Sequence, residues 1–523
     1  MPKLQAANLS YQQANGGQVL NNISVSLNAK TTALVGRNGV GKSVLASLLC
    51  NRLIPSSGNV VCNGQLGFYE QLVDSHSLKN KTIIDVLGLN HYFKALQQIN
   101  NGHFTEHELN LLDGFWDLPE RFYAELTRLG IYGINENSCA TALSGGQLSQ
   151  LRLWALFTIH HDIIILDEPS NHLDKQGKSW LLNHIEQFTG QLLLISHDRE
   201  ILQVADEIWE LTSMGLSVFG TGFSDFVTQK NYQLAALENK LSHTTKEQNK
   251  LLLEQQRSKQ KAAKRAAKGV VTRKSGSQPK VLMDAKKDKA SANLSSQNKN
   301  TAKREELLNS NKKHIVNQLE QIKQQQFYFN NPDTKQRNAL NLENVILQYG
   351  SQTPINLQIF NNEKIHLIGA NGAGKSTLLK TLTGELKVRA GHIHRNSPLL
   401  YLDQYFSLIK AELTLLDNLK YYCKTLDEST ARTLLASLGF RKHDVFKQVT
   451  HLSGGEKMKL AMCIVSNTES TAFLLLDEPD NHLDLESKQL LAQSLQNFKG
   501  GFILVSHDNY FVESIGCNRQ IVL

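Results

Sequence analysis

The 523-residue sequence has no long apolar run, and this absence limits the kinds of protein it can encode. No stretch approaches the roughly 18 apolar residues that mark a membrane-spanning helix. The opening letters, MPKLQAANLSYQQ, also lack the basic start and apolar core of a secretion signal. We therefore expect a cytoplasmic protein with no membrane segment.

Cysteine is scarce as well, with six residues in the whole sequence and no C-x-x-C pair. Several of them fall in predicted apolar helices or strands, where cysteine behaves as a small core residue. A reducing compartment is the expected environment. The six positions are Cys50, Cys62, Cys139, Cys423, Cys463 and Cys517.

The net charge of +8 is spread unevenly along the chain. The segment 240–337 holds 23 Lys and Arg against 8 Asp and Glu, a balance of +15, so the rest of the chain sums to −7. A cationic segment on an otherwise acidic protein suggests a phosphate backbone as its partner. A solvated basic coil is the alternative.

The most specific feature is an eight-residue pattern that occurs twice, as GRNGVGKS near the start and as GANGAGKS in the second half. Each copy fits G-x-x-x-x-G-K-[ST], follows a predicted strand and precedes a predicted helix. In such a loop the glycines let backbone N–H groups wrap phosphates, which the helix N-terminus also attracts. We expect Lys42 and Lys375 to reach the β- and γ-phosphates and Ser43 and Ser376 to bind magnesium.

Three further strings recur in the same order after each loop. LSGGQ and LSGGE place a serine and two glycines at a predicted helix start, and IIILDEP and FLLLDEP are apolar strands that end at two carboxylates. In each pair the Asp can hold magnesium through water, and the Glu can polarise the attacking water. The string SHD then follows another apolar strand. We expect His197 and His507 to contact the γ-phosphate, although a lone strand-end histidine is usually structural.

Together these motifs resemble the ATP-binding cassette superfamily, and the resemblance covers both ends of the chain. In that family two cassettes face each other head to tail. Each ATP lies between the phosphate loop of one cassette and the LSGGQ-type signature of the other. The resemblance therefore implies two composite sites that hydrolyse ATP with Mg²⁺ as cofactor.

The resemblance also implies a set of site residues. Tyr11 and Tyr349 fall where an aromatic ring usually stacks on adenine, although both could be ordinary strand residues. The expected catalytic residues are Glu168, Glu478, His197 and His507. The expected magnesium-binding residues are Ser43, Gln71, Asp167, Ser376, Gln404 and Asp477. The expected ATP-binding residues are Gly36, Asn38, Gly39, Gly41, Lys42, Ser43, Gly369, Asn371, Gly372, Gly374, Lys375, Ser376, Thr377, Ser144, Gly145, Gly146, Ser453, Gly454, Gly455, Tyr11 and Tyr349.

The strings LDEPSNHLD and LDEPDNHLD look most like the ABC-F branch of the superfamily, whose usual form is LDEPTNHLD. The fusion of two cassettes, the charged linker and the string FGTGFSDFVTQKNY agree with that branch. Ser170 and Asp480 replace the usual Thr, Val44 stands where Thr is common, and Lys459 stands where Arg is common. None of these departures removes a catalytic group, so both ATP sites are expected to be competent.

Motif spacing predicts an α/β protein with two P-loop NTPase cassettes, 1–232 and 338–523, joined by a basic helical-hairpin linker, 233–337. By the family resemblance, each cassette should have a RecA-like α/β core with helical and antiparallel-β subdomains. The offset between the two copies is 333 residues at Gln71 and 309 at the signature, so the first cassette carries about 24 extra residues. They fall within 87–132, either as a short arm, which ABC-F relatives can place against the ribosome, or as an enlarged helical subdomain.

Two long helices are expected in the linker, with a turn over 269–300 that is rich in Ser, Gly, Asn and Lys. Leu308, Ile315 and Ile322 repeat at heptad spacing with Leu319 between them, which is typical of a short coiled-coil seam. An arm of about 30 helical residues would reach about 45 Å.

The expected function is an ABC-F-type ATPase that acts on the ribosome, in translation regulation or in antibiotic resistance. By the family resemblance its partners are the 70S ribosome, rRNA and tRNA, which it meets through the basic linker. The two cassettes are expected to pair within one monomeric chain. A DNA-structure-binding ATPase is an alternative, since the linker could follow DNA phosphates. The ATPase subunit of a transporter is a further alternative, but a long basic hairpin has no role there.

Overall fold

The protein is described by a computed structural model that divides into two units, Met1–Ser224 with Gln325–Leu523, and Asp225–Gln324. The residues that the structure describes are 3–13, 16–70, 78, 81–102, 105–171, 173–274, 299–316, 337–403, 406–440, 442–452, 454–467, 473–481 and 483–523.

The first cassette contains strands and helices in alternation. Its strands are β1 (Lys3–Gln12), β2 (Gln18–Ser26), β3 (Thr31–Val35), β4 (Ser57–Asn63), β5 (Leu66–Tyr69), β6 (Ile163–Asp167), β7 (Gln191–Ile195), β8 (Glu207–Thr212) and β9 (Gly215–Phe219). Its helices are α1 (Lys42–Leu49), α2 (Ile83–Leu87), α3 (Asn90–Asn100), α4 (Glu106–Leu111), α5 (Leu118–Arg128), α6 (Gly145–Thr158), α7 (Lys175–Gln187) and α8 (Arg199–Leu202), with a 3₁₀ turn at Ala140–Ala142.

Strands β3, β6 and β7 lie at the centre of this cassette, and every residue in them except Gln191 is buried. Parallel strands covered on both faces need such continuous burial, which explains the apolar runs in the sequence. The sheet order is β5-β6-β7-β3-β8-β9, and only β9 runs antiparallel to its neighbour. The carboxyl ends of the central strands therefore meet at one edge, and the motifs that follow them come together there.

A second, antiparallel sheet of order β2-β1-β4 covers the helix that follows the phosphate loop. Leu4, Leu9 and Leu20 from this sheet share a hydrophobic cluster with Leu45 and Leu48 of α1. The sheet thus holds in place the helix whose N-terminus forms one side of the loop.

The second cassette repeats this plan. Its strands are β10 (Asn338–Ile346), β11 (Ile355–Phe360), β12 (Lys364–Ile368), β13 (Ala390–Arg395), β14 (Leu399–Leu402), β15 (Phe473–Asp477), β16 (Phe502–Val505) and β17 (Arg519–Val522). Its helices are α11 (Lys375–Thr383), α12 (Leu415–Tyr422), α13 (Glu428–Ser437), α14 (Gly454–Asn467), α15 (Leu485–Asn497) and α16 (Asn509–Ile515), with 3₁₀ turns at Lys442–Phe446 and Val449–His451. The core sheet has the order β14-β15-β16-β12-β17, and the antiparallel sheet has the order β11-β10-β13.

Helices α2 to α6 of the first cassette form a helical subdomain around one apolar cluster. Tyr92 of α3 and Phe122 of α5 belong to this cluster, together with Leu151 and Trp154 of α6, the helix that begins at the first signature. The 87–132 segment, to which the extra residues were assigned, therefore packs against the signature helix. Its contact with any partner stays a prediction.

The described part of the smaller unit consists of two helices, α9 (Phe223–Lys274), which begins at the end of the first cassette, and α10, over 299–316. Gln248 donates to Asn309 Oδ1 at 2.8 Å, and Gln255 donates to Glu305 Oε2 at 3.3 Å. The later residue on α9, Gln255, therefore bonds to the earlier residue on α10, Glu305, which shows that the two helices run antiparallel.

The helical content of the linker differs from the prediction at both ends of the expected turn, 269–300. Helix α9 continues through the first six residues of that range, to Lys274, and α10 already begins at 299. The segment 275–298 lies outside the described residues. Leu308 is buried and Ile315 is half-buried, whereas Leu319 and Ile322 of the predicted heptad also lie outside the described residues. The coiled-coil seam therefore stays a prediction.

The predicted fold class is confirmed, with two α/β cassettes, each with a helical and an antiparallel-β part, and a linker of two long helices. Within the described ranges, every helix is too short or too polar to cross a membrane.

We expect Phe122→Ala to destabilise the first helical subdomain, because Phe122 is 0% exposed at the centre of its cluster. Truncation of a buried phenylalanine typically costs about 3–5 kcal/mol. The matched control is Trp116→Ala, since Trp116 is 49% exposed in the same segment and an exposed change should stay within about 0.5 kcal/mol. Denaturant unfolding followed by circular dichroism measures both. Equal shifts in the two variants would contradict the packing described above.

Candidate active site

The two phosphate-loop sequences form the same turn between a central strand and a helix. In the first cassette the helix is capped by Gly41, with φ of 102°, and in the second by Gly374, with φ of 106°. A side chain rarely adopts this left-handed backbone, and a Cβ on Gly41 would lie 2.7 Å from Val19 Cγ1. Glycine therefore permits the tight turn that sets a helix N-terminus at the loop, an arrangement that attracts anions.

A buried lysine closes each loop. Lys42 Nζ donates to the backbone oxygens of Gly36 and Arg37 at 2.8 and 3.1 Å, and Lys375 Nζ makes the two equivalent bonds at 2.7 and 3.1 Å. Burial lowers the pKa of both ammonium groups, and neighbouring carboxylates oppose that shift. The loop carbonyls thus hold a cation where the phosphates of a nucleotide would need one.

The aspartates that end β6 and β15 lie beside these loops. Asp167 accepts a hydrogen bond from the hydroxyl of Ser43, and Asp477 accepts one from Ser376. Burial raises the pKa of both carboxyls, and the serine bonds act in the opposite direction. Among the described residues, no hydrogen-bond partner reaches the buried Oδ1 of Asp167.

The glutamate after each aspartate has an unusual backbone. Glu168 has φ of 50° and Glu478 has φ of 52°, and their N–H groups are held by strand carbonyls, Ile195 O at 2.8 Å and Val505 O at 2.9 Å. A left-handed glutamate is strained, and the surrounding strands enforce the strain at both sites. Burial raises the pKa of each of these two carboxyls to about 7.

A histidine faces each glutamate. His197 Nε2 lies 3.6 Å from Glu168 Oε1, and His507 Nε2 lies 3.6 Å from Glu478 Oε1. These separations are slightly longer than a hydrogen bond, so each pair is in close contact without a direct bond. Burial, and then the loop lysine, lowers the pKa of His197 well below its usual value and that of His507 to about 4. Both imidazoles are therefore neutral near pH 7, with one nitrogen that donates and one that accepts.

The first phosphate loop contacts the second cassette directly. Asn38 N–H donates to Asp484 Oδ2 at 3.2 Å, and Arg37 Nη2 lies 2.8 Å from Glu486 Oε2. Burial, and to a smaller extent the charge of Arg37, lowers the pKa of Lys459 on α14, the helix at the second signature. The first loop therefore contacts the start of α15 in the second cassette, and Arg37 lies close enough to α14 for its charge to act on Lys459.

A lysine on the helix after each NHLD string pairs within its own cassette, and one of the two also reaches the other cassette. Lys178 on α7 lies 2.6 Å from Asp198 Oδ2 and also donates to the backbone oxygen of His507, across the contact, at 2.9 Å. Lys488 is its equivalent on α15 and lies 2.9 Å from Asp508 Oδ2. Each lysine therefore pairs with the Asp of the SHD string in its own cassette. Lys178 also fixes the backbone of the opposite histidine.

One cavity of about 520 Å³ joins these groups. Its walls include Lys42, Glu168 and His197 from the first cassette and Glu478 and His507 from the second. The phosphate-loop lysine, both glutamates and both histidines therefore face a shared polar space between the cassettes.

Several other predicted residues take the positions that the motifs imply. Ser144 caps α6 and accepts from the N–H of Gln147, and Gly454 begins α14. Tyr349 is 61% exposed and lies beside the second loop, with its carbonyl 3.1 Å from the place of a Cβ on Gly374. Predicted residues that lie outside the described part of the chain are Gln71, Gln404 and Ser453.

Sequence reasoning missed these two lysines and the acidic residue beside one of them. Lys178 and Lys488 each stand four residues after the last Asp of an NHLD string, and this repeated spacing was a usable signal. Asp480 lies 4.0 Å from Lys488 Nζ. It had been noted only as a departure from the usual Thr, because burial of its carboxylate depends on the tertiary structure.

Comparison with known proteins agrees with this geometry. The model of the family described as ABC transporter matches residues 20–171 and 352–481, more than half of the chain. The cassettes and their sites define a twin-cassette ABC ATPase. The chain therefore belongs to the ABC transporter family and is of the ABC-F type, as the motifs predicted.

Individual relatives cover nearly the whole chain. The chain is 28% identical to the erythromycin resistance ATP-binding protein MsrA of Staphylococcus epidermidis, over 92% of this chain and 90% of that protein. It is also 28% identical to ABC transporter F family member 5 of Arabidopsis thaliana, over 99% and 74%. A crystal structure of the archaeal ribosome recycling factor aABCE1 with the stalk protein aP1 shares the fold, with a TM-score of 0.57 at 16% identity, over 98% and 87%.

We expect Glu168→Gln together with Glu478→Gln to retain ATP binding and lose hydrolysis. A neutral amide keeps the shape but cannot act as the base that the attacking water needs, a role worth about 100-fold or more. Steady-state phosphate release measures the loss. The control is Glu513→Gln, since that glutamate is exposed on α16. Wild-type hydrolysis by the double variant would show that the two glutamates have other roles.

We expect Lys178→Met to slow hydrolysis at the site of Glu478 and His507, because the His507 carbonyl would lose its bond. The loss should be about tenfold, since a hydrogen bond to a charged group contributes ~1.5–3 kcal/mol. A Glu168→Gln background isolates that site for a phosphate-release assay. Lys175→Met is the matched control, because Lys175 is exposed on the same helix. The contact is irrelevant to catalysis if both variants behave alike.

Proposed function

We propose that this chain is a cytoplasmic ATPase that acts on the ribosome and contacts RNA phosphates through its helical linker. The observation that carries the proposal is the charge of α9. Its last twenty residues, 255–274, contain eight Lys and Arg and no Asp or Glu. Lys261 and Lys264 in this stretch are exposed.

The arrangement of these cations supports a polyanion as the partner. Helix α9 has 52 residues, and at 1.5 Å per residue it is about 78 Å long. A helix of that length with one sign of charge over its final five to six turns can follow a phosphate backbone. Among relatives, the printed name of MsrA connects that protein with resistance to erythromycin, and the ABC-F resemblance connects the linker with tRNA.

In the proposed reaction Lys42 and Lys375 hold the β- and γ-phosphates. Glu168 and Glu478 accept a hydrogen bond from the attacking water and orient it. Their raised pKa values suit a base that works near neutral pH. The neutral imidazoles of His197 and His507, with Nε2 3.6 Å from a glutamate oxygen, can donate to the γ-phosphate.

Magnesium is the metal that we propose for both sites. The residues fit it, since a serine hydroxyl lies against a buried carboxylate at each loop and Asp167 Oδ1 is a buried oxygen with no partner among the described residues. Hydroxyl and carboxylate oxygens are the ligand types that Mg²⁺ prefers. When bound, the ion would neutralise charge on the β- and γ-phosphate oxygens. Ser43, Asp167, Ser376 and Asp477 would hold it.

Nucleotide state is coupled to cassette contact in this proposal. Asn38 meets Asp484 and Lys178 meets the His507 backbone, so atoms at the sites also form the contact between cassettes. ATP can favour the closed form only by binding it more tightly than the open form. The closed form is the one that we propose binds the ribosome, and hydrolysis releases it.

We expect the double Gln variant, held in its ATP-bound form, to co-sediment with 70S ribosomes. Binding should weaken as salt rises, because a protein that neutralises several phosphates releases their counterions. Replacement of Lys261, Lys264, Arg265 and Lys268 with Ala should weaken binding and make it less salt-dependent. ATPase activity of the free protein should change little, because these residues lie outside both cassettes.

The matched control removes four exposed lysines from the cassettes, Lys81, Lys94, Lys175 and Lys424, and thereby the same charge. Equal loss of ribosome binding in the two quadruple variants would show that net charge matters and the linker does not. Retention on branched DNA by a variant that ignores ribosomes would favour the DNA-binding alternative instead.

A further inference from the structure

A tyrosine hydroxyl contacts the aspartate of the second ATP site. Tyr401 lies on β14, next to the strand that ends at Asp477, and its OH donates to Asp477 Oδ2 at 3.0 Å. The two residues are buried, 9% and 6% exposed. This bond is additional to the one from Ser376, so two hydroxyl groups fix the carboxylate.

The equivalent position in the first cassette is a phenylalanine. Tyr401 is paired with the residue two positions before Asp477, and Phe68 is paired with the residue two positions before Asp167. The strand registers therefore match, and the rings occupy corresponding places. Phe68 has no hydroxyl to give, and Asp167 Oδ1 lacks a partner among the described residues.

The first cassette does have a tyrosine on the corresponding strand, β5, but this tyrosine is Tyr69, one residue after Phe68. Successive side chains of a strand point to opposite faces, so Tyr69 faces away from the side that Phe68 faces. Its hydroxyl bonds to Ser149, and the guanidinium of Arg152 lies 4.6 Å from its ring centroid. The one-residue shift thus directs the hydroxyl away from Asp167.

We propose that Tyr401 is a positioning residue of the second ATP site, that it orients Asp477 for magnesium, and that the first site holds magnesium less tightly because Phe68 stands in its place. The proposal rests on magnesium as the metal and is independent of ribosome binding. A hydrogen bond to an ionised carboxylate favours the charged form and fixes its rotamer. Such outer contacts typically change metal affinity by about 10–100-fold.

The phenol can serve in this role because it keeps its proton. The ordinary pKa of a phenol, about 10, lies well above neutral pH. The hydroxyl that contacts Asp477 Oδ2 is therefore a donor near pH 7. The loop serine remains available for the metal itself.

The experiment measures the Mg²⁺ dependence of nucleotide binding at one site at a time. All proteins carry Glu168→Gln and Glu478→Gln, so bound nucleotide is not consumed. Lys42→Ala silences the first site and leaves the second to report, and Lys375→Ala does the reverse. Retention of a fluorescent ATP analogue is recorded over a Mg²⁺ titration and again in EDTA.

With the second site reporting, Tyr401→Phe should raise the Mg²⁺ midpoint about tenfold and leave nucleotide affinity in EDTA unchanged. With the first site reporting, Tyr401→Phe should have no effect, whereas Phe68→Tyr should lower the midpoint by a similar factor. The strand register gives Phe68 the place that Tyr401 has in the second cassette, so the added hydroxyl should be directed towards Asp167. The guanidinium of Arg52 also lies 4.6 Å from the ring centroid of Phe68.

An unchanged midpoint in Tyr401→Phe would overturn the proposal. So would a loss of affinity in EDTA, or a lower melting temperature, with no Mg²⁺ shift, since either would reduce Tyr401 to a packing residue. Retention that ignores Mg²⁺ in every protein would instead refute magnesium as the metal. None of these results depends on whether the chain binds ribosomes.

Discussion

Charge buried between the two cassettes is the constraint on which both ATP sites depend. Lys178 is buried and the side chain of Lys488 is 15% exposed, and an unpaired buried charge would cost several kcal/mol. Each lysine is therefore tied to an aspartate, Asp198 or Asp508, that directly follows a site histidine. Lys178 also donates to the backbone of His507 in the other cassette, so the contact between the cassettes and the position of that histidine are linked through this lysine.

The glutamates show how the folded sheet enforces a reactive geometry. Glu168 and Glu478 adopt a left-handed backbone because their N–H groups continue the hydrogen bonding of the neighbouring strand. The sheet tolerates this strain since its inner strands are buried along their length. Burial at the end of the same strands also raises the pKa of both carboxyls. The position of each glutamate in the sheet therefore accounts both for its backbone conformation and for its raised pKa.

The two sites share motifs but differ in the contacts around them. Arg37 pairs with Glu486 across the contact, whereas the corresponding positions on the other side are Ala370 and Gln176. Asp480 lies near Lys488, and its counterpart in the first cassette is an uncharged serine. The repeated motifs therefore produce two similar catalytic centres. The charged residues around the two centres differ, because those residues are not part of the repeated motifs.

The sequence alone was sufficient for the fold class, the two phosphate loops and the carboxylates that end their strands. The glycine spacing of a phosphate loop and the apolar run of a buried strand each involve only a few consecutive residues. Both features can therefore be recognised from the sequence without knowledge of the fold. The head-to-tail arrangement came from family resemblance, since nothing local specifies how cassettes meet. The roles of the individual site residues remain predictions from the motifs.

Only the tertiary structure decided which side chains touch. Repeated spacing after the NHLD strings could mark the lysine on α7 as notable, but it could not show that this lysine reaches the backbone of His507, because 329 residues separate the two. Likewise Phe68 and Tyr401 look like ordinary strand residues until the pairing of β5 with β6 and of β14 with β15 fixes the face each presents. Strand register and cassette docking arise from contacts between distant segments, and no local pattern encodes them.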